Sequence, residues 1–508
     1  MYTLRRLSLA STEDARATAA APRVLAPFAW CLLPFLLLAT ANSAGYRYGA
    51  SDLAFYGPAV MRQLDPALFP HDAAIIEAQA RLTRMDETVA AIARATTGHL
   101  PTLFLVLYLC TLALLAAAGS AIGSTIYRSA WATAALLAAL TLRHAIPKSG
   151  TNTLEAYFHP RQVAFAFGAL AVAAFLRGSP LLAALALTAA ALFHPTTTLW
   201  FGIWLIVAAF VAEPRWRRPL ALIAAGTGCA AGWALAWGPL AGRLALMDAE
   251  WLDALAGKDY IFPAQWSAAT WLLNLAYVPI IWVLYQRRAR AGLAGPRERG
   301  LVAGCLALVV VFLAAVVLGA ARVALAIQLQ PARVFWLLDL LAIVYAIGAI
   351  AGDGGTRARV AAIALLVISA VRGVYIMKVE FPNRPLFEVG VPGDWGRVTA
   401  WAQAATPRDA AWLADPAHAS QYGTSLRMAA GRDVFVEATK DAAIGMYDRT
   451  IAIRTRDRLR AIGDFAALSP ARARTLASEY DLSYLVTEHP MELPLVFQSG
   501  PLLVYRLR

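Results

Sequence analysis

Asp52 stands in the stretch SDLAFYGPAV, residues 51–60, about ten positions past a long apolar run and four before Tyr56. A carboxylate there can take a proton from a hydroxyl, as a group-transfer reaction requires. It can equally cap a helix or pair with Arg47 or Arg62. Glu155, in NTLEAYFHPR, is a second acid, suited to positioning an acceptor or to accepting a hydrogen bond from Arg161. His159 and Arg161 follow at the start of the next apolar run, where an arginine meets an anionic phosphate or snorkels toward lipid headgroups. His194, in ALFHPTTTLW, marks a reversal between two apolar runs, as a structural donor or as a contact to phosphate or sugar. Arg333, in QLQPARVFWLLD, follows Pro331 and is flanked by Gln328 and Gln330, with Arg322 just before. A planar guanidinium grips phosphate with two hydrogen bonds. The candidate catalytic residues are therefore Asp52 and Glu155. The candidate substrate-binding residues are Tyr56, His159, Arg161, His194, Arg322 and Arg333.

The elements that must hold these groups are apolar. Of 508 residues, 59% are hydrophobic and 15% charged, and repeated apolar runs approach the ~20 residues that cross a bilayer. The fold class is an α-helical polytopic membrane protein. The basic balance, with a pI near 9.8, could suggest nucleic acid, but Lys and Arg sit in short clusters between apolar runs, which excludes that partner. All four cysteines, Cys31, Cys110, Cys229 and Cys305, fall inside apolar runs with no CxxC or Cys/His spacing, so neither a disulfide framework nor a zinc site is expected.

Hydropathy gives eleven spans, at 24–42, 101–121, 129–142, 162–176, 180–194, 196–212, 219–239, 266–285, 301–320, 333–351 and 360–377. The basic connections EPRWRRP, QRRARAGLAGPRERG and GDGGTRARV, with Arg128 and Arg177, then share one face with the basic N-terminus, residues 1–23. That face is expected to be cytoplasmic. The first apolar run is read as a retained anchor, although ATANSA after it also resembles a signal-peptide cleavage site. The membrane domain is expected over 24–378, including a long outer loop at 43–100. Residues 379–508 form a small α/β extracytoplasmic domain. There GDWGRVTAWAQAA and SPARARTLASEY read as helices, and AAWLAD, DVFVEA, LSYLVTEH, LPLVFQ and LLVYRL as strands.

In the outer loop, Ile75, Leu82, Met85, Val89 and Ile92 share one face of a helix starting at Asp72. That helix lies along the membrane surface or packs against the tail. Asp339 and Arg372, buried within spans, are expected to pair or to line a wet cavity. The acidic loop 240–265 and the basic tail stretch running from Arg427 through Lys440 to Arg460 read as solvated surface charge.

A long loop after the first span, carrying an acid soon after the exit and an amphipathic helix before the second span, resembles the GT-C superfamily of integral-membrane glycosyltransferases. The resemblance implies transfer of a sugar from a polyprenyl phosphate or diphosphate donor to an acceptor glycan, lipid or protein beyond the outer face. It also implies that Asp52 is the base or acceptor-positioning group, and that an arginine on a late span, here Arg333, meets the lipid phosphate. Many members carry a DE or DxD pair, whereas Leu53 follows Asp52. The chain thus points to no certain cofactor and leaves a divalent metal open. The location implied is the plasma (inner) membrane. The competing reading is a non-enzymatic polytopic protein, a transporter, flippase or anchor for the tail; no duplicated halves or central acids in several spans speak for transport.

Overall fold

The computed structural model describes residues 21–508 except 82, 97 and 353, with backbone alone for residues 21–30 and 79. The basic segment expected at the N-terminus lies, for residues 1–20, outside the described residues, as does Leu82 of the expected amphipathic face.

Among the described residues, seven helices are long and apolar enough to cross a membrane: Leu100–Ile126, Pro195–Ala212, Pro214–Ala236, Ala268–Arg290, Pro296–Ala320, Ala324–Ala351 and Gly355–Glu380. Shorter apolar helices occupy Cys31–Asn42, Ala130–Leu140, Pro160–Leu176 and Pro180–Phe193. All eleven expected segments are therefore helical, and seven have spanning length. Ala130–Leu140, with 11 residues, rises only ~16 Å, about half of a bilayer's hydrocarbon core. Ser129 fixes its start by accepting the Ala132 N–H.

Two intramembrane charges find separate partners rather than each other. Asp339 accepts a hydrogen bond from Tyr277 (3.0 Å) and lies 3.4 Å from His144 Nδ1. Arg372 donates to the Asn42 side chain (2.8 Å) and carbonyl (3.1 Å).

The loop after the first helix folds as three helices, Leu53–Leu64, Ala73–Ala80 and Met85–Ala95. The single helix expected from Asp72 is thus broken. Between its halves Arg84 N–H donates to the Leu192 carbonyl and the Thr83 hydroxyl to that of Phe193, so a neighbouring helix end captures the Arg84 N–H that a continuous helix would have used internally. Asp72 is fully buried and serves the tail, not the membrane surface.

The tail carries a five-stranded sheet. Numbering strands along the chain, β1 is Tyr46–Arg47, β2 Ala145–Ile146, β3 Thr151–Asn152, β4 Phe387–Glu388, β5 Ala411–Leu413, β6 Asp433–Val434, β7 Tyr484–Thr487, β8 Leu495–Ser499 and β9 Leu502–Arg506. The sheet order is β6-β5-β7-β9-β8, with β6, β5 and β7 parallel and β9 antiparallel to both its neighbours. Alternation sends Trp412, Tyr484, Val486, Leu502 and Val504 to one face, under helix Gly393–Ala405. Leu413, Leu485, Leu503 and Tyr505 go to the other, under helix Pro470–Tyr480. All five strands and both helices fall where the sequence pattern sets them.

The tail is fastened to the loop. β1 pairs in parallel with β4. Arg427, 1% exposed, donates to Asp72 (2.7 Å) and with both terminal nitrogens to Asp441 (2.6 and 3.0 Å), and Arg454 reaches the other Asp72 oxygen at 2.7 Å. Gly57 lets the segment carrying Met428 close onto helix Leu53–Leu64, because a side chain at 57 would run into the Met428 sulfur. Around the rim, Arg449, Arg456 and Arg460 pair with Asp248, Glu250 and Asp253. Arg449 and Arg460 and their acidic-loop partners remain surface charge, as their sequences suggested, but paired across the two segments. Arg427, Arg454 and Lys440 of the same basic stretch are instead drawn to Asp72, Asp441 and Asp52 by a docking that no local pattern encodes.

Candidate active site

One end of the helical bundle and the tail enclose a chamber of about 320 Å³. Asp52, Tyr56, Glu155, His159, Arg161, His194 and Arg333 all line it, brought from four stretches of chain. The tail closes the chamber with Lys440, Ala443, Ile444, Met446 and Tyr447.

Asp52 precedes helix Leu53–Leu64 in the N-cap position, yet its side chain makes no cap hydrogen bond. Arg47 and Arg62 are also elsewhere, the first 3.6 Å from Glu388 and the second bonded to Glu77. The carboxylate instead faces inward. Lys440 donates to its Oδ1 at 2.7 Å and to the Ser51 hydroxyl at 2.9 Å. His159 stands 3.1 Å from its Oδ2. Because His159 Nδ1 accepts the Arg161 backbone N–H (3.1 Å), the ring proton sits on Nε2 and is donated to Asp52. Rings of Tyr56 and Tyr157 hold this imidazole from two sides, with centroids 5.7 and 5.4 Å away.

These contacts set the charges. Burial alone would raise the Asp52 carboxyl, but the Lys440 ammonium overcomes it, aided by His159 and Arg161, and holds the group well below the usual carboxylate range. Burial, with Arg161 adding repulsion, brings His159 down to about 3, so it is neutral at pH 7. Burial pushes the Glu155 carboxyl up against the pull of Arg161. Arg161 donates to Glu155 at 3.2 Å, the bond its spacing suggested, and Asn152 donates at 3.3 Å. Tyr260, also on the chamber wall, is pushed up to about 12 by burial.

Arg333 and His194 form the other pole. His194 N-caps helix Pro195–Ala212, its Nδ1 accepting the Thr197 N–H at 3.1 Å. The proton is thereby left on Nε2, and Arg333 Nη1 lies 3.5 Å from that atom. The two donors lie side by side, so that one acceptor oxygen placed beside the pair is within reach of both. Arg333 Nε is buried without a hydrogen-bond partner among the described residues. Arg333 ends a turn that begins at Gln330, which adopts the left-handed conformation (φ +50°) unfavourable to a residue with a side chain. Gln330 donates to the Tyr447 hydroxyl (3.1 Å), so the tail helps to hold that turn.

A second cavity of about 340 Å³ adjoins the first. Its walls are mainly apolar, with Phe193, Leu199, Leu240, Leu325 and Leu329, and it shares Tyr56, His194 and Tyr447 with the chamber.

Arg322 is not brought to the chamber. It is exposed, with φ +65°, on a separate cavity beside Phe262 and Pro263, because the chain turns between it and Arg333. Sequence reading missed Arg143, Tyr157, Tyr260 and Tyr447, and set Lys258 and Lys440 among surface charges. One signal was present: the chain has four lysines, Lys148, Lys258, Lys378 and Lys440, and two of them line the chamber. In so arginine-rich a sequence a lysine stands out. Among the described residues, no three His, Cys, Asp or Glu side chains come together as metal ligands would. No protein-family model matches this chain, and a search of curated proteins found no relative.

Proposed function

We propose that this chain is a membrane glycosyltransferase of GT-C type, which moves a sugar from a polyprenyl-phosphate-linked donor to an acceptor hydroxyl. The observation that carries the reading is the junction of the two cavities. One is mainly apolar, its one cation among the described residues, Arg243, being bonded to Gln328. The other is rich in cations, and the two meet at Tyr56, His194 and Tyr447. That pairing suits an amphiphile with an apolar chain and an anionic head. At the junction stands His194, with Arg333 3.5 Å from it, and their two donors suit a phosphate oxygen.

In this reading the bond between the anomeric carbon and the phosphate oxygen breaks, with its electrons going to the phosphate. Arg333, His194 and Arg161 stabilise that developing charge. The acceptor oxygen forms the new bond and its proton passes to Asp52. A carboxylate held so far below the usual range is a weak base, so the proton moves late, when the hydroxyl has become acidic by attacking. His159, neutral and donating, orients Asp52 and takes no proton itself. The basic loops support a topology with the N-terminus cytoplasmic and the chamber and tail on the extracytoplasmic face, and the GT-C resemblance implies the plasma (inner) membrane.

The test is Asp52→Asn in purified protein, assayed with radiolabelled polyprenyl-phosphate sugars and membrane acceptors. Transfer should fall by about 100-fold or more, with an unchanged melting profile. Undiminished transfer removes Asp52 from the chemistry. Solute counterflow through the reconstituted protein would argue instead for a transporter.

A further inference from the structure

The charges lining the chamber do not balance. Arg143, Arg161, Lys258, Arg333 and Lys440 face it, against Asp52 and Glu155. Lys440 is neutralised by Asp52 and Arg161 by Glu155. Arg143, Lys258 and Arg333 have no carboxylate partner among the described residues: Lys258 donates only to the Thr439 carbonyl, and Arg333 only faces His194. Three positive charges are therefore left in a partly enclosed cavity, one of them on a side chain 8% exposed. Of the three, Arg333 is buried, Lys258 partly exposed and Arg143 exposed, so the cost of an unpartnered buried charge falls on Arg333, and a bound anion relieves it while meeting the positive potential of the other two.

From this surplus we infer that the donor is joined to its lipid through a diphosphate. The inference rests on the function proposed above. A sugar linked to the lipid through one phosphate carries one negative charge and leaves a lipid monophosphate with two. A sugar linked through a diphosphate carries two. When its anomeric C–O bond breaks, the electron pair stays on the phosphate oxygen and the departing lipid diphosphate carries three, one for each uncompensated cation. The match is closest at the moment of departure, and interactions that strengthen there accelerate the reaction. Geometry agrees. His194 lines both cavities and Arg333 faces it 3.5 Å away, while Lys258 lines the cation-rich chamber next to Thr439 and Lys440.

The test is binding to the full-length protein in detergent, measured by thermal shift and by competition, with undecaprenyl phosphate and undecaprenyl diphosphate as probes. The diphosphate should bind about tenfold or more tightly, and both Lys258→Met and Arg333→Gln should shrink that preference. Lys258 is partly exposed, so its variant reports even where loss of Arg333 unfolds the chamber. Equal binding of the two lipids overturns the diphosphate inference and leaves the transferase reading standing. Binding of neither overturns both. Inorganic pyrophosphate binding as tightly as the lipid diphosphate would overturn the lipid-linked donor and point to a free anion.

Discussion

Lys440 Nζ lies 2.7 Å from Asp52 Oδ1, across 388 residues of sequence. A lysine of the tail thus governs the charge of the acid in the first loop. Lys440→Met should lower transfer by about tenfold or more. It should also move the acidic limb of the pH–rate profile to higher pH, since the ammonium no longer depresses the Asp52 carboxyl. A profile superimposable on that of the parent protein would show that the ammonium sets neither charge nor position.

In the proposed transfer His159 positions Asp52, and its role separates from that of Asp52 in the kinetics. His159→Gln keeps an N–H donor and should lose less than His159→Ala, with the fall in kcat and little change in KM. Its own titration has a sign. With a folded pKa of about 3 against ~6.5 unfolded, the neutral ring's contribution to stability is complete above about pH 6.5. It is lost as pH falls from there toward 3. Nitrogen-15 NMR of labelled histidine checks this; a His159 resonance titrating between pH 5 and 8 contradicts it.

Arg427 neutralises Asp72 and Asp441 in the interior. Arg427→Met should destabilise the tail's docking by about 3–5 kcal/mol, because Asp441 is stranded in the interior and Asp72 keeps only Arg454. Combining it with Asp72→Asn should recover part of that loss. Thermal melting and limited proteolysis in the tail are the measurements, and strictly additive losses would deny the coupling.

Gly57 lets helix Leu53–Leu64 touch Met428. Gly57→Val should loosen the tail and reduce transfer even though residue 57 bears no chemistry. Met428→Ala in the same chain should restore both in part by clearing the space. Full activity of the single variant would mean that this approach is not needed.

The membrane helices and the tail's sheet were legible because they are written locally. Hydropathy marks apolar segments, and alternation in LSYLVTEH and LLVYRL marks strands. Asp52, Glu155, His159, Arg161, His194 and Arg333 were legible by type, at the ends of apolar runs. Lys440 and Arg427 were not, since a charge in an arginine-rich stretch looks the same whether it meets water or a carboxylate brought from residue 52 or 72. The break after Ala80 was invisible for the same reason, its cause being carbonyls at Leu192 and Phe193. Arg322 was misread because eleven residues of sequence proximity to Arg333 say nothing of the turn between them.

The two sets of ion pairs that fasten the tail differ in their exposure. Arg449, Asp248, Glu250, Asp253 and Arg460 have side chains roughly half open to solvent, whereas Arg427 and Asp72 are sealed. At 1 M ionic strength the Debye length shrinks to ~3 Å, so a strong wash strips the rim of its attraction and leaves the inner rivet gripping. Membranes rinsed free of peripheral contaminants in concentrated brine should therefore retain the ammonium of Lys440 at its post beside Asp52.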